Sequence, residues 1–182
     1  MLVYLLGPAE VVRVLSGLGY AVTTDDLASA VDYYMSRSAH GSTLSRVVHT
    51  SVLAMLDRST AWSEFREALD ADLDDTQGGT TGQGIHLGAM AGTVDILLRT
   101  FTGMRMDADA LVFRPRLPGA LRRLTFELRY RGHRITVTVN RTRLRLTSRS
   151  AAEQPVRVVV DDVSALLGGG ESLEFGVRAP RE

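Results

Sequence analysis

The pattern of apolar and polar residues changes near Gly103. Before this point, apolar residues recur every three or four positions, which is typical of amphipathic α-helices. After it, apolar and polar residues alternate with a period of two, as in strands of a sheet with one face in water. The sequence therefore predicts an α+β chain with two parts, a helical part in residues 1–103 and a β-domain in residues 104–182.

Five helices are predicted in the first part. They cover residues 10–18, residues 25–35 after a cap at Thr23 or Thr24, a stretch from Ser42 or Thr43 to about residue 56, a stretch from Ser59, and residues 85–101. In the fourth helix, the expected inner face consists of Trp62, Phe65, Ala68, Leu69 and Leu73. The fifth helix is apolar almost all round, so it is expected to be surrounded by protein, which four short helices can hardly achieve.

In residues 104–182, the alternation of apolar and polar residues predicts an antiparallel meander. Strands are expected around residues 111–113, 124–130, 135–139, 144–146, 156–160 and 173–177, with turns at residues 131–132 and 140–142. Gly168, Gly169 and Gly170 predict a loop.

Composition limits the class of protein. The 182 residues are 45% hydrophobic and contain no cysteine, so a buried core is expected and a disulfide framework or cysteine-based zinc site is not. The four histidines lack the spacing of paired metal ligands, and no metal is expected. No apolar run is long enough to span a bilayer, and the first residues lack the basic start of a signal peptide. These features favour a cytoplasmic protein without a membrane association.

Charge is unevenly distributed. Residues 1–103 contain six arginines and twelve acidic residues, whereas residues 104–182 contain fifteen arginines and nine acidic residues. Many of these arginines fall at alternate positions of predicted strands and are expected on solvated faces: Arg122, Arg129, Arg131, Arg134, Arg141, Arg143 and Arg145. Nucleic-acid binding is not expected, because aromatic stacking platforms and recognition motifs are missing.

Two glycine-rich segments, each with a histidine, precede predicted helices. They are residues 38–45 (SAHGSTLS) and 78–86 (GGTTGQGIH). The start of a helix carries unpaired N–H groups and a partial positive charge, so two such starts together predict an anion pocket. Each segment taken alone is also compatible with an ordinary capped loop.

Four aspartates lie between residues 70 and 75, where the fourth helix is expected to end. Acids at the C-terminus of a helix oppose its dipole, which is unfavourable. Either water screens these carboxylates, or groups nearby use them.

Several blocks of residues, taken in order, resemble glycoside hydrolase family 65, the family of maltose, trehalose and kojibiose phosphorylases and related hydrolases. The matching blocks are VDYY (31–34), HGSTLS (40–45), GTT (79–81), GIHLGAMAGT (84–93), FRPRLP (113–118) and LRYRGH (128–133). Family members are several times longer than this chain. The resemblance implies that residues 1–103 form the last helices of an (α/α)6 barrel, and residues 104–182 an antiparallel β-sandwich C-terminal domain.

The resemblance also implies a reaction and a set of binding residues. Family phosphorylases use inorganic phosphate as a co-substrate to cleave an α-glucoside with inversion, and no further cofactor is implied. Phosphate is expected to bind Gly41, Ser42, Thr43 and His86, and residues on the sugar side are expected to be His40, Thr81 and Gln83. The general-acid glutamate of the family lies upstream of these blocks, so no catalytic residue is assigned here and the chain alone is expected to be inactive.

One departure from the family pattern affects the choice of reaction. Many members have Glu where Gln83 stands, and a neutral amide cannot act as a base, which weakens a hydrolytic role of this position. The sequence leaves open whether the whole enzyme is a phosphorylase or a hydrolase. Two alternatives to a portion of an enzyme stay open: a non-catalytic module that binds sugar or phosphate, and a module that associates with another chain, most simply a second copy, through exposed helices.

Overall fold

The computed structural model describes residues 2–39, 42–54, 58–76, 78–150 and 154–178. Contacts between residues divide the chain into two compact units, Met1–Ile96 and Leu97–Glu182. The first unit is helical and the second is built mainly from strands, which confirms the predicted α+β class. No helix in the described ranges is long and apolar enough to cross a membrane.

In the described ranges, the helical unit contains the predicted helices and a further short α-helix, Leu2–Leu6, that the pattern did not predict. The helices are α1 (Leu2–Leu6), α2 (Pro8–Gly17), α3 (Thr24–Met35), α4 (Thr43–Leu53), α5 (Arg58–Leu69) and α6 (Leu87–Asp95). The chain continues from α6 into a π-helical segment, Ile96–Phe101. The fifth predicted helix is therefore α-helical only in its first part.

Local capping explains where α3 begins. The Thr23 hydroxyl accepts a hydrogen bond from the backbone N–H of Asp26 at 3.2 Å, and the Asp26 carboxylate accepts one from the backbone N–H of Thr23 at 2.8 Å. This reciprocal pair is a capping box, which satisfies two N–H groups that the helix start would leave unpaired. The hydrogen bond from the Thr23 hydroxyl also holds the pKa of Asp26 below its usual range.

Helices α4 and α5 run antiparallel. Arg46, in the first turn of α4, forms ion pairs with Glu67 and Glu64 near the end of α5. Helix α6 packs closely on α4, because a Cβ atom at Gly92 would lie 2.6 Å from Cγ1 of the buried Val47. The backbones of α4 and α6 approach this closely only because residue 92 lacks a side chain.

The predicted inner face of α5 was partly wrong. Phe65 and Ala68 are buried as expected, but the Leu69 side chain is 44% exposed and that of Leu73 is 83% exposed. The reason is that α5 ends at Leu69 and the chain turns, with the N–H groups of Leu73 and Asp74 bonded to the carbonyl of Asp70. Leu73 therefore no longer lies on the helical stripe.

Helix α6 is not surrounded on all sides within the described residues. Ala89, Gly92 and Thr93 are buried, whereas Leu87 and Val94 are largely exposed. An apolar cavity of about 410 Å³ lies elsewhere in this unit, between helices α1 to α4. The helical unit thus presents apolar surface beyond its own core.

The described residues of the second unit form two four-stranded sheets. One has the order β1 (Arg105–Met106), β2 (Ala110–Phe113), β6 (Val156–Val160) and β7 (Val163–Leu167), and the other has the order β3 (Arg123–Tyr130), β4 (His133–Asn140), β5 (Arg143–Ser148) and β8 (Ser172–Gly176). Alternate residues of β4, β5 and β6 are buried, so these strands each present one face to the core. All seven arginines expected on solvated faces are exposed.

The prediction of a purely antiparallel domain was wrong for one pair of strands. Strand β2 pairs with β6 in parallel, with Leu111 opposite Val158, while the other pairings are antiparallel. Parallel pairing requires a long connection, and here β3, β4 and β5 supply it. Strands β1 and β7 were not predicted, because β1 has only two residues and β7 has little alternation in burial.

A buried histidine joins two parts of this unit. His133 is 1% exposed, and its ring nitrogens contact the Ser148 hydroxyl at 2.9 Å and the carbonyl of Gln154 at 2.8 Å. His49 is also buried, in helix α4. His133 therefore has the packing role that is the ordinary one for a buried, hydrogen-bonded side chain.

Candidate functional site

Helices α4 and α6 begin at the same end of α5. Arg46, in the first turn of α4, contacts Glu67 in the last turn of α5. Asp72, just beyond the end of α5, bonds His86, which is the N-cap residue of α6. The end of α5 therefore lies near the first turn of α4 and near the start of α6.

Ser42 caps the start of α4. Its hydroxyl oxygen accepts a hydrogen bond from the backbone N–H of Leu44 at 3.3 Å, and its backbone carbonyl accepts one from the Ser45 hydroxyl at 2.6 Å. Thr43 is the first residue of the helix and its side chain is 4% exposed. His40 and Gly41, which were also predicted to line this site, lie outside the described residues.

The His86 side chain is held by a carboxylate. Its ring Nδ1 lies 2.6 Å from Oδ1 of Asp72, and its backbone N–H donates to Oδ2 of the same carboxylate at 2.9 Å. Its other ring nitrogen, Nε2, lies 3.4 Å from the Thr80 hydroxyl. Because a carboxylate only accepts hydrogen bonds, this contact favours a proton on Nδ1.

Asp72 is well shielded from water. Its side chain is 9% exposed, compared with 28% for His86. The hydrogen bond from the His86 ring is the main reason why the pKa of Asp72 lies below its usual range. Asp72 is therefore a carboxylate at neutral pH.

A second aspartate organises the loop between α5 and α6. The Asp75 carboxylate accepts a hydrogen bond from the backbone N–H of Thr81 at 3.2 Å, and this bond is the main cause of a lowered pKa of Asp75. In the acidic run, at least Asp72 and Asp75 therefore accept hydrogen bonds from neighbouring groups. The unfavourable position of these acids relative to the α5 dipole is offset by hydrogen bonds to the loop.

Thr81 and Gln83 lie in this loop, in a short 3₁₀ turn that covers Thr81–Gln83. Thr81 is half-buried, and Gln83 is exposed. The loop then reaches Gly84, whose φ of +137° is a backbone conformation that residues with a side chain rarely adopt. Gly84 therefore has a conformational role in this loop.

The start of α6 can donate hydrogen bonds. The side chain of His86, the N-cap residue, does not cap this helix, and the backbone N–H of His86 donates to the Asp72 carboxylate. The N–H of Leu87 donates to the carbonyl of Ile85, and that of Ala89 to the carbonyl of His86. Among the described hydrogen bonds, the N–H of Gly88 is the first-turn donor without an acceptor, and anions use such donors at helix starts. The start of α6 therefore has one described N–H group that can donate to a further acceptor.

Sequence reasoning missed the role of Asp72. The available signal was the unfavourable placement of a run of acids at the end of a helix, which left open whether water screens them or nearby groups use them. The identity of that partner could not be read from the sequence, because Asp72 and His86 are fourteen positions apart across a glycine-rich loop.

Comparisons with known proteins match both units. Residues 1–95 match the glycosyl hydrolase family 65 central catalytic domain, and residues 104–167 match the glycosyl hydrolase family 65 C-terminal domain. A glycosyl hydrolase of Mycobacterium tuberculosis is 41% identical over 176 residues, which are 97% of this chain and 13% of that protein. Trehalose 6-phosphate phosphorylase of Lactococcus lactis is 31% identical over 175 residues, which are 92% of this chain and 22% of that enzyme.

A solved structure has a similar fold. It is assigned as a kojibiose phosphorylase from the human microbiome, and it superposes with a TM-score of 0.72 at 22% identity over 92% of this chain and 22% of its own. The chain thus spans less than a quarter of the length of each of these three relatives. Since the central catalytic domain of the family matches more than half of the sequence, the chain belongs to glycosyl hydrolase family 65.

Proposed function

We propose that this chain is a C-terminal portion of an inverting α-glucoside phosphorylase and supplies its phosphate site. The proposed phosphate ligands are Gly41, Ser42, Thr43 and His86. The observation that carries the proposal is that the starts of α4 and α6 lie at the same end of α5. Relatives named as phosphorylases of trehalose 6-phosphate and of 1,2-α-glucosylglycerol support the reaction class.

In the proposed reaction, a phosphate oxygen attacks the anomeric carbon of the glucosyl residue. The bond from this carbon to the glycosidic oxygen breaks, and a general-acid glutamate protonates the leaving oxygen. Attack from the opposite face inverts the configuration and gives β-glucose 1-phosphate. By family resemblance, the glutamate comes from a part of the catalytic domain outside this sequence, while the residues described here bind and orient the phosphate.

Phosphorolysis is favoured over hydrolysis by the residue at position 83. An inverting hydrolase needs a carboxylate base to activate water, and the amide of Gln83 has no such basicity. A phosphorylase needs no base at this position, because phosphate itself is the nucleophile. Thr81, Gln83 and His40 are proposed to lie toward the sugar.

Phosphate binding by the chain tests the proposal directly. Addition of inorganic phosphate to ¹⁵N-labelled protein is expected to cause saturable shifts of the amide resonances of Ser42, His86 and Gly88. Ser42→Ala is expected to weaken this binding. Thr23→Ala is the matched control, because it also removes a capping hydroxyl but from α3. Equal affinity in the two variants, or no saturable shift in the unsubstituted chain, would contradict the proposal.

An activity assay tests the assignment of the general acid. The chain alone is expected to release no glucose from trehalose, maltose or kojibiose in the presence of phosphate. Measurable phosphate-dependent turnover would show that the acid is within this sequence.

An alternative role as an association module has one structural feature in its favour. Apolar side chains are exposed on the helical unit, among them Leu5, Tyr34 and Leu87. A surface of this kind is typical of proteins that bind another chain. Sedimentation of the isolated chain distinguishes the two roles, since a monomer that binds phosphate supports the first, and an oligomer that does not bind phosphate supports the second.

A further inference from the structure

We propose that Asp72 is a positioning residue, which fixes the His86 ring so that Nε2 is the nitrogen that meets the bound phosphate. This inference rests on the proposed function. It adds a residue that lies outside the glycine-rich segments and touches the anion only through His86.

The contact between Asp72 and His86 is made at two points. One carboxylate oxygen accepts from the ring and the other from the backbone N–H of the same residue. Rotation of the ring would break the first bond while the second keeps the carboxylate in place. The ring is therefore oriented relative to the start of its own helix, which is where the phosphate is proposed to bind.

The low exposure of Asp72 strengthens this orientation. Water has little access to a side chain that is 9% exposed, so it competes poorly for the carboxylate oxygens. The lowered pKa of Asp72 keeps it an acceptor over the whole neutral range. A permanent acceptor beside Nδ1 favours one tautomer, with hydrogen on Nδ1 and the lone pair on Nε2.

The nitrogen on the other side of the ring has only a weak partner. Its contact with the Thr80 hydroxyl is 3.4 Å long, compared with about 2.8 Å for a well-formed hydrogen bond of a hydroxyl. A hydrogen phosphate ion can displace this contact by donating its O–H to Nε2. If the ring takes up a proton, Nε2–H donates to a phosphate oxygen instead, and Nδ1 stays bonded to Asp72 in both states.

The orientation of the ring is measurable without any assay of activity. Long-range ¹H–¹⁵N correlation spectra of histidine-labelled chain report which nitrogen of His86 carries the hydrogen. In the unsubstituted protein at a pH where the ring is neutral, the Nδ1–H tautomer is expected to dominate. A dominant Nε2–H tautomer would overturn the inference before any variant is made.

Two variants separate positioning from support of the loop. Asp72→Asn is expected to produce a mixture of tautomers, because an amide can either donate to Nδ1 or accept from it, and to weaken phosphate binding by about tenfold. Asp75→Asn is the matched control. It removes a carboxylate that bonds the same loop through Thr81, and it is expected to leave the tautomer of His86 unchanged.

The outcomes distinguish this inference from the proposed function. An unchanged tautomer or an unchanged phosphate affinity in Asp72→Asn would refute a positioning role, and so would an equal change of tautomer in Asp75→Asn. If Asp72→Asn changes the tautomer of His86 but the unsubstituted chain does not bind phosphate, the proposed function is refuted. Phosphate is then also refuted as the partner of Nε2.

Discussion

The close approach of α6 to α4 predicts a strong and specific effect of a single methyl group. Gly92→Ala places a Cβ atom 2.6 Å from Cγ1 and 2.8 Å from Cγ2 of Val47. Val47 is fully buried, and a β-branched side chain in a helix has essentially one favourable rotamer, so it cannot turn away. The two helices must therefore move apart.

The magnitude follows from two opposing terms. Replacing glycine by alanine within a helix stabilises it by about 1 kcal/mol. Overpacking a buried contact costs about 1–3 kcal/mol. Gly92→Ala is therefore expected to lower the free energy of unfolding of the helical unit by up to about 2 kcal/mol.

Chemical denaturation followed by the fluorescence of Trp62 measures this quantity. Trp62 lies in α5 and is the single tryptophan of the chain, so its signal reports on the helical unit. Gly88→Ala is the control in the same helix, because a Cβ atom there meets no atom within 4 Å. This control is expected to be neutral or to stabilise the unit by up to about 1 kcal/mol.

A double-mutant cycle identifies the cause. Val47→Ala removes the two closest atoms that the new Cβ atom would meet and leaves only Cβ of residue 47, at 3.2 Å. Gly92→Ala in that background is therefore expected to be neutral or to stabilise the unit by up to about 1 kcal/mol. The coupling energy between the two sites is then about 1–3 kcal/mol. The packing argument is refuted if Gly92→Ala stabilises the original chain as much as Gly88→Ala does.

Three further predictions concern single hydrogen bonds. Thr23→Ala removes the cap of α3 and is expected to lower the free energy of unfolding by about 1 kcal/mol, measured by denaturation. Ser148→Ala leaves a ring nitrogen of the buried His133 without its partner and is expected to destabilise the β-unit by about 1–3 kcal/mol, measured by circular dichroism during denaturation. The amide resonance of Thr81 is expected to shift on acidification below the usual pKa of an aspartic acid, because the pKa of Asp75 is lowered in the folded chain.

Each of these has a contrary outcome. Thr23→Ser keeps a capping hydroxyl. If it lowers the free energy of unfolding as much as Thr23→Ala does, the result argues against the cap. A Ser148→Thr variant that is more stable than Ser148→Ala supports the hydrogen bond to His133. Equal destabilisation by Ser148→Thr and Ser148→Ala argues against it.

The sign of the acid effect follows from the direction of the pKa shift. The folded state favours the charged form of Asp75, so Asp75 stabilises the fold at pH values above its pKa in the unfolded chain. This stabilisation is lost as the pH falls through the lower pKa that Asp75 has in the folded chain. A Thr81 amide that shifts at or above the ordinary aspartate range would contradict the contact.

Local patterns predicted most of the helices because each carries its own signal. Ser42 and Thr23 are capping residues directly before an apolar stripe, and α4 and α3 begin next to them. The same reasoning extended α5 too far, since Leu73 keeps the helical spacing although the chain turns at Asp70. Spacing alone does not show where hydrogen bonds in a helix cease.

Contacts between distant residues were the part that the sequence did not reveal. The alternation of apolar residues predicted β2 and β6 individually, but it contains no information on which strands pair or in which direction. Likewise, Ser42 and His86 were identified by their local context, while the pairing of Asp72 with His86 depends on how the loop folds back. Side chains that act through a second residue are therefore the hardest to find by pattern.

The parallel pairing of β2 with β6 has a consequence for the order of folding. β3, β4 and β5 are neighbours in the chain and can form hairpins within microseconds. β2, which can pair with the two-residue strand β1, has to wait for its parallel partner β6, which is synthesised long after it. All four residues of β2 are buried in the finished fold, so during translation this strand remains as an uncovered apolar segment. Closure of that long loop is expected to be the slow step, and aggregation at the ribosome is the hazard that accompanies it.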